Sequence, residues 1–197
     1  WHLDAHAAWR TLMTNGPDAS RRAALSIGVY VTALLLAGCA SAPSPADYAR
    51  EVPKLDLRSY FNGPLTAHGL FTDRSGKVVR RFTVRMVGRW DGNEGVLDED
   101  FLYSDGETQR RVWRLTDLGQ GRYRGRADDV VGEAVGMAAG NALNWRYTLA
   151  LPVDGRVWHV QFDDWMYLMD ERVMLNKAVM SKFGITLGEV TLAFAKP

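Results

Sequence analysis

The run KVVRRFTVRMVGRW, residues 77–90, alternates in polarity with a period of two. Val78, Phe82, Val84, Met86 and Trp90 share one side, together with the charged Arg80, while Arg81, Thr83, Arg85 and Arg89 share the other. Successive side chains of an extended chain point to opposite faces, so the pattern specifies a strand with one face buried and one wet. The alternation recurs in TAHGLFT, GVLDEDFLYS, ETQRRVWRLTDL, GRYRGRAD, ALNWRYTLAL, RVWHVQFDDW, MYLMDERVML and ITLGEVTLAF. Turn signals such as DRSGK, WDGNEG, SDGE, LGQG and PVDG punctuate many of these runs. No long amphipathic helix alternates with the strands, which argues against βαβ units. The expected fold of residues 55–197 is all-β: an antiparallel, closed or nearly closed barrel of about eight to nine strands. A barrel of roughly eight strands is filled by side chains or holds one small ligand.

The chain has one cysteine, Cys39, at the end of the apolar stretch Ala23–Leu36 and within LAGC. Arg21 and Arg22 precede that stretch. A positive segment, a short apolar segment and small residues before a cleavage point form a signal peptide, and fourteen apolar residues are too few to span a bilayer of about 30 Å. LAGC resembles a lipobox, in which the cysteine is acylated and becomes the new N-terminus. Residues 1–12 read as sequence upstream of a start at Met13, residues 13–38 as the signal peptide, and residues 39–54 as the lipidated cysteine and a tether rich in small residues and proline. In the sorting rule of Gram-negative lipoproteins an aspartate after the cysteine retains the protein in the inner membrane. Ala40 stands there instead, so the expected location is the periplasmic face of the outer membrane. The membrane is thus one expected partner, through the acyl chains. A single acyl chain binds marginally and several bind firmly.

Removing the three arginines and two aspartates before Cys39 leaves 21 basic and 21 acidic residues. A neutral domain lacks the basic excess that phosphate backbones require, so nucleic acid is not an expected partner. No cofactor is expected. His68 and His159 are the only histidines after Cys39 and have no carboxylate at ligating spacing, so no metal site is expected. DDVVGEAVGMAAGNAL carries Gly132, Gly136 and Gly140 at a spacing of four, without GxGxxG or GK[ST]. Two readings stay open for it: a small-residue strand where backbones approach closely, or a short helix across a barrel mouth.

Seven Trp, seven Tyr and seven Phe supply enough bulk for either a solid core or a ligand cavity. The candidate ligand-binding residues are Phe82, Arg111, Trp113, Tyr123, Trp145, Tyr147, Trp158 and Trp165. Arg111, beside Trp113, is the arginine expected to turn inward and hold an acyl carboxylate or a phosphate. Asp100, Asp163 and Asp164 form a candidate polar site. Asp163 and Asp164 are neighbours in a strand, so they face opposite ways and cannot act as a dyad; one is expected in solvent and the other beside Arg111, Arg114 or Arg146.

The long motifs YFNGPLTAHGLFTDRSGKVVRRFTV, LDEDFLYSDGETQRRVWRL, RGRADDVVGEAVGMAAGNALNWRYTL and FDDWMYLMDERVMLNKAVMSKFGITLGEVTL resemble domain-of-unknown-function family 3833, a group of bacterial lipoproteins. The resemblance covers residues 57–194 and carries over no catalytic residues. The expected architecture is lipocalin-like by strand count. GRW at 88–90 matches the lipocalin triplet in letters only, because it ends the second strand rather than opening the first. The expected function is a lipid-anchored barrel that binds a lipid, such as a fatty acid or phospholipid, or another apolar molecule. The alternatives are a solid-cored interaction module for an envelope partner and a lipid-modifying enzyme.

Overall fold

A computed structural model describes residues 42–153 and 155–197, so Cys39 and the expected signal peptide lie outside the described residues. Ten strands follow one another: β1 (Gly63–Asp73), β2 (Val78–Asp91), β3 (Glu94–Tyr103), β4 (Thr108–Gly119), β5 (Arg122–Arg126), β6 (Ala134–Ala139), β7 (Ala142–Val153), β8 (Arg156–Leu168), β9 (Val173–Lys182) and β10 (Ile185–Ala195). Each pairs antiparallel with its neighbours in sequence, and β1 pairs with β10 to close the barrel, Ala67 opposite Phe194. Closure removes the edge strands that would otherwise present unpaired backbone groups.

The barrel has ten strands where eight to nine were expected. The additional strand is β6, whose sequence AVGMAA has no large apolar residue on its inner face. Its flatness serves Trp145 of β7: a Cβ on Gly136 would lie 2.3 Å from that indole ring. The strand reading of this glycine-rich stretch is therefore the correct one. MYLMDERVML, read above as one strand, is instead the end of β8, a turn and the start of β9. Asp170 Oδ1 accepts the amide N–H of Arg172 and of Val173 at 2.8 and 2.7 Å, and this local bonding breaks the extended run.

The apolar face of every long strand points inward. Val84, Met86, Leu143, Val160, Met174 and Met180 are fully buried, each worth about 1.5–3 kcal/mol of transfer free energy. Arg81, Arg85 and Lys177 project from the outer wall. This polar-out, apolar-in sense is the reverse of a membrane-spanning barrel.

Among the described residues one short α-helix precedes the barrel, α1 (Leu57–Tyr60). Asp56 caps it, accepting the Ser59 N–H at 2.8 Å. Leu57, Tyr60 and Phe61 are buried and close one end of the barrel. Trp90 Nε1 donates to the Phe61 carbonyl at 3.1 Å, Tyr60 donates its hydroxyl proton to the Arg172 carbonyl at 3.1 Å, and the Phe61 ring packs edge-on against Phe194. Gly88 of β2 makes this approach possible, since a Cβ there would fall 1.7 Å from the Phe61 carbonyl oxygen.

Within the segment expected to be a tether, Pro45–Tyr48 forms a 3-10 turn. Tyr48 packs on Trp165 and Tyr167 of the outer wall, ring centroids 5.8 and 5.3 Å away, and the Leu55 N–H donates to the Gly140 carbonyl at 2.8 Å. The part after Ser44 is therefore docked on the barrel rather than extended in solvent.

Candidate ligand cavity

Antiparallel strands put the β1–β2, β3–β4, β7–β8 and β9–β10 turns and the β5–β6 loop at the end opposite α1. Between that mouth and α1 lies a cavity of about 380 Å³, within the size range of about 300–1,000 Å³ for small-molecule sites. Its wall is aromatic. Trp113 meets Trp145 and Tyr147 edge-on at 5.8 and 5.5 Å, and Tyr147 stacks on Phe162 at 4.9 Å with the rings 4° from parallel. Phe82 and Phe101 continue the wall toward the mouth, tilted at 5.9 Å.

A polar belt crosses this apolar space. On one wall Glu99 of β3 stands in register with Arg111 of β4. Arg111 grips Asp129 of the β5–β6 loop: Nη2 donates to Oδ2 at 2.6 Å, and Nε donates at 3.0 and 3.1 Å to the two carboxylate oxygens. The loop is fixed in turn, because the Ala150 N–H donates to the Asp129 carbonyl at 2.8 Å. On another wall Asp164 of β8 accepts a short hydrogen bond from Asn176 Nδ2 of β9. Tyr147 faces the same space.

Burial dominates the electrostatics. Loss of water pushes the Glu99 carboxyl up to about 7, against the pull of Arg111 and with Asp129 adding to the rise. It pushes Asp164 up to about 6, against the Asn176 hydrogen bond. The Tyr147 phenol is likewise held well above its usual value, by burial first and by Asp164 next. Desolvation disfavours the charged form of an acid, and neighbouring carboxylates reinforce it. At the mouth Arg80 bonds Asp105 at 2.9 and 3.0 Å and lies 3.6 Å above the centre of the Tyr103 ring. Tyr103 donates its hydroxyl proton to Gln109 at 2.8 Å.

Of the residues singled out from sequence, Phe82, Arg111, Trp113, Trp145, Tyr147 and Asp164 line the cavity. Tyr123 is buried but lies at the closed end, where it neighbours the Leu57 backbone. Trp158 is half-buried near the mouth, with Lys182 Nζ 5.1 Å from its ring centre, and is not part of the cavity wall. Trp165 points outward and packs on Tyr48, because Phe162, Asp164 and Met166 take the inward positions of β8. Asp163 is also outward and pairs with Arg146 at 3.2 Å. Asp100 lies on the outer face, in register with Arg85 and Arg110. The carboxyl that enters the lumen from this strand is Glu99.

Glu99 and Asn176 were missed although a signal for them exists. Glu99 has the parity of Leu97 and Phe101, and Asn176 that of Met174 and Ala178, so each follows its apolar neighbours inward. Asp129 carries no such signal, since a loop brings it to Arg111. Among the described residues no group of three His, Cys, Asp or Glu side chains is placed to hold a metal ion.

The family model described as a protein of unknown function, DUF3833, matches residues 33–196. The chain belongs to the DUF3833 family. Curated protein sequences give no match to this family member. Among solved structures, one titled EF1p2_mFAP2b bound to DFHBI is similar at 10% identity and a TM-score of 0.42, covering 71% of this chain and 99% of its own. A de novo designed fluorescence-activating β-barrel is similar at 15% identity and a TM-score of 0.38, covering 73% of this chain and 99% of its own.

Proposed function

We propose that this DUF3833 protein binds one apolar small molecule, of lipid type, inside its barrel, and is held at a membrane by acyl chains on Cys39. The observation that carries the reading is the aromatic-walled cavity between α1 and the mouth, with a small number of polar groups set into it. Ligand sites have this composition: apolar walls supply affinity, and convergent polar groups supply orientation. Burying ten methylenes contributes on the order of 8 kcal/mol, from which the cost of association is subtracted. Micromolar affinity, about −8 kcal/mol, therefore draws on the polar belt as well as the wall.

The test is a titration of the delipidated soluble domain, residues 42–197, with fatty acids, phospholipids and neutral or amine-bearing amphiphiles, read by tryptophan fluorescence and native mass spectrometry. Saturable one-to-one binding is expected, abolished by Ala178→Trp, which fills the cavity from β9. No binding of any of these at tens of micromolar would remove the reading.

The anchoring half rests on LAGC and on a family match that begins at residue 33 and so takes in Cys39. With Ala40 following, we place the domain at the periplasmic face of the outer membrane. Cys39→Ser should lose incorporation of labelled fatty acid in cells and appear in the soluble fraction. Equal labelling of the two proteins would contradict the anchor.

A further inference from the structure

We infer that the polar group of the bound molecule is a hydrogen-bond donor, cationic or neutral, and that the cavity rejects a free carboxylate or phosphate. This rests on the apolar-ligand reading above and sharpens it to a chemical class. The arginine that would receive an anion is already occupied. Arg111 makes three close N–O contacts with Asp129, and the loop carrying Asp129 is pinned to β7 by the Ala150 amide. The other arginine lining the cavity, Arg80 at the mouth, bonds Asp105 and Glu107.

What remains available in the lumen is acceptor capacity on two carboxyls, beside the Tyr147 phenol, which can donate or accept. Glu99 lies on β3 and Asp164 on β8, five strands apart around a ring of ten, so the two carboxyls stand on opposite walls of one cavity. Both are buried side chains, Glu99 with 8% of its surface exposed. Glu99 has the Trp113 indole N–H and Arg111 as neighbours, and Asp164 has Asn176. A carboxylate has about four lone-pair sites, so these neighbours leave acceptor positions open on both walls. With Asp129 matched by Arg111, ionising both acids gives the belt an excess of two negative charges. A ligand anion would add a third in a desolvated space, where like charges repel strongly. A protonated amine relieves the excess, and a hydroxyl meets the acceptors without adding charge.

The polar groups facing the cavity are Arg80 from β2, Glu99 and Tyr103 from β3, Gln109 and Arg111 from β4, Asp129 from the loop, Tyr147 from β7, Asp164 from β8 and Asn176 from β9. Of these, Glu99 and Asp164 change charge between about pH 6 and 7. Amine affinity should therefore rise from pH 5 to pH 8 as the two acids ionise.

Three probes with the same tail isolate the polar group: n-dodecylamine, n-dodecanol and dodecanoic acid. Each is titrated below its aggregation threshold into the delipidated domain at pH 5.5 and pH 8 and read by native mass spectrometry and tryptophan fluorescence. At pH 8 the amine should bind at least tenfold tighter than the acid, with the alcohol between them. The amine's advantage should shrink at least tenfold at pH 5.5 and in the double variant Glu99→Gln, Asp164→Asn. Asp129→Asn, which weakens the hold on Arg111, should improve the acid. Equal binding of all three, or tightest binding of the acid, overturns the donor class while leaving an apolar ligand site standing. If none binds to a domain that circular dichroism shows folded, the apolar-ligand reading falls and this inference falls with it. The wild-type comparison decides the question even if the variants do not fold.

Discussion

Two phenylalanines at opposite ends of the barrel show how differently the ends are built. Phe61 has 5% of its surface exposed, and Phe183, in the β9–β10 turn, has 86%. Phe61 is held by the Trp90 indole on its carbonyl, by Phe194 against its ring, and by a glycine that lets its backbone approach β2. Phe183 has Lys182 Nζ 4.5 Å from its ring centre and adopts a left-handed backbone with φ of 51°. Ile185 and Val157 beside that end are exposed as well. The closed end is therefore part of the folding core, whereas the mouth carries apolar side chains that contribute little to it. A cavity needs this asymmetry: one end sealed by packing and the other left for entry.

The largest effect should come from opening the sealed end. Phe61→Ala should cost about 4 kcal/mol in chemical denaturation, in the range for a buried Phe truncated to Ala. A loss under about 1 kcal/mol would mean that α1 is not a plug. Next in size, taken group by group, should be a pH signature of the lumen between the two ends. Glu99 and Asp164 bind protons more tightly folded than unfolded, with values of about 7 and 6 against ordinary values of 4.5 and 3.8. Their contribution to stability is thus fully present below about pH 4 and is lost as pH rises through 6 and 7, on the order of 3 kcal/mol per group. Asp164→Asn should flatten that decline, as read from denaturation midpoints at pH 4.5 and 8. An unchanged pH slope would show that the lumen is wetter than its burial implies. The smallest effect belongs to the mouth: Phe183→Asn should change stability by less than about 0.5 kcal/mol, since an exposed side chain is removed and asparagine tolerates the left-handed backbone. A cost near that of Phe61→Ala would erase the contrast between the ends.

The alternation of the long strands was legible in the sequence, and with it that Asp163 and Asp164 face opposite ways, although not which of the two enters the lumen. Trp165 and Asp100 show where composition misled. Trp165 is aromatic and was expected inside, but strand phase puts it outside, where Tyr48 covers it. Asp100 drew notice within the acidic stretch LDEDF, while phase selects Glu99. Strand β6 was legible only as one of two alternatives, because its small residues carry no amphipathic signal and its form depends on Trp145 lying across Gly136.

By itself the sequence determined the all-β class, the alternation of the long strands and the shared phase of Arg111 and Trp113, because side-chain alternation is a local property of an extended backbone. Tertiary structure alone decided what Arg111 does. Its partner Asp129 lies 18 residues away in a loop, and closing the ring sets Glu99 and Asp164 on opposing walls although 65 positions separate them in the chain. Pairings across such distances depend on the curvature and closure of the barrel, which no local pattern encodes.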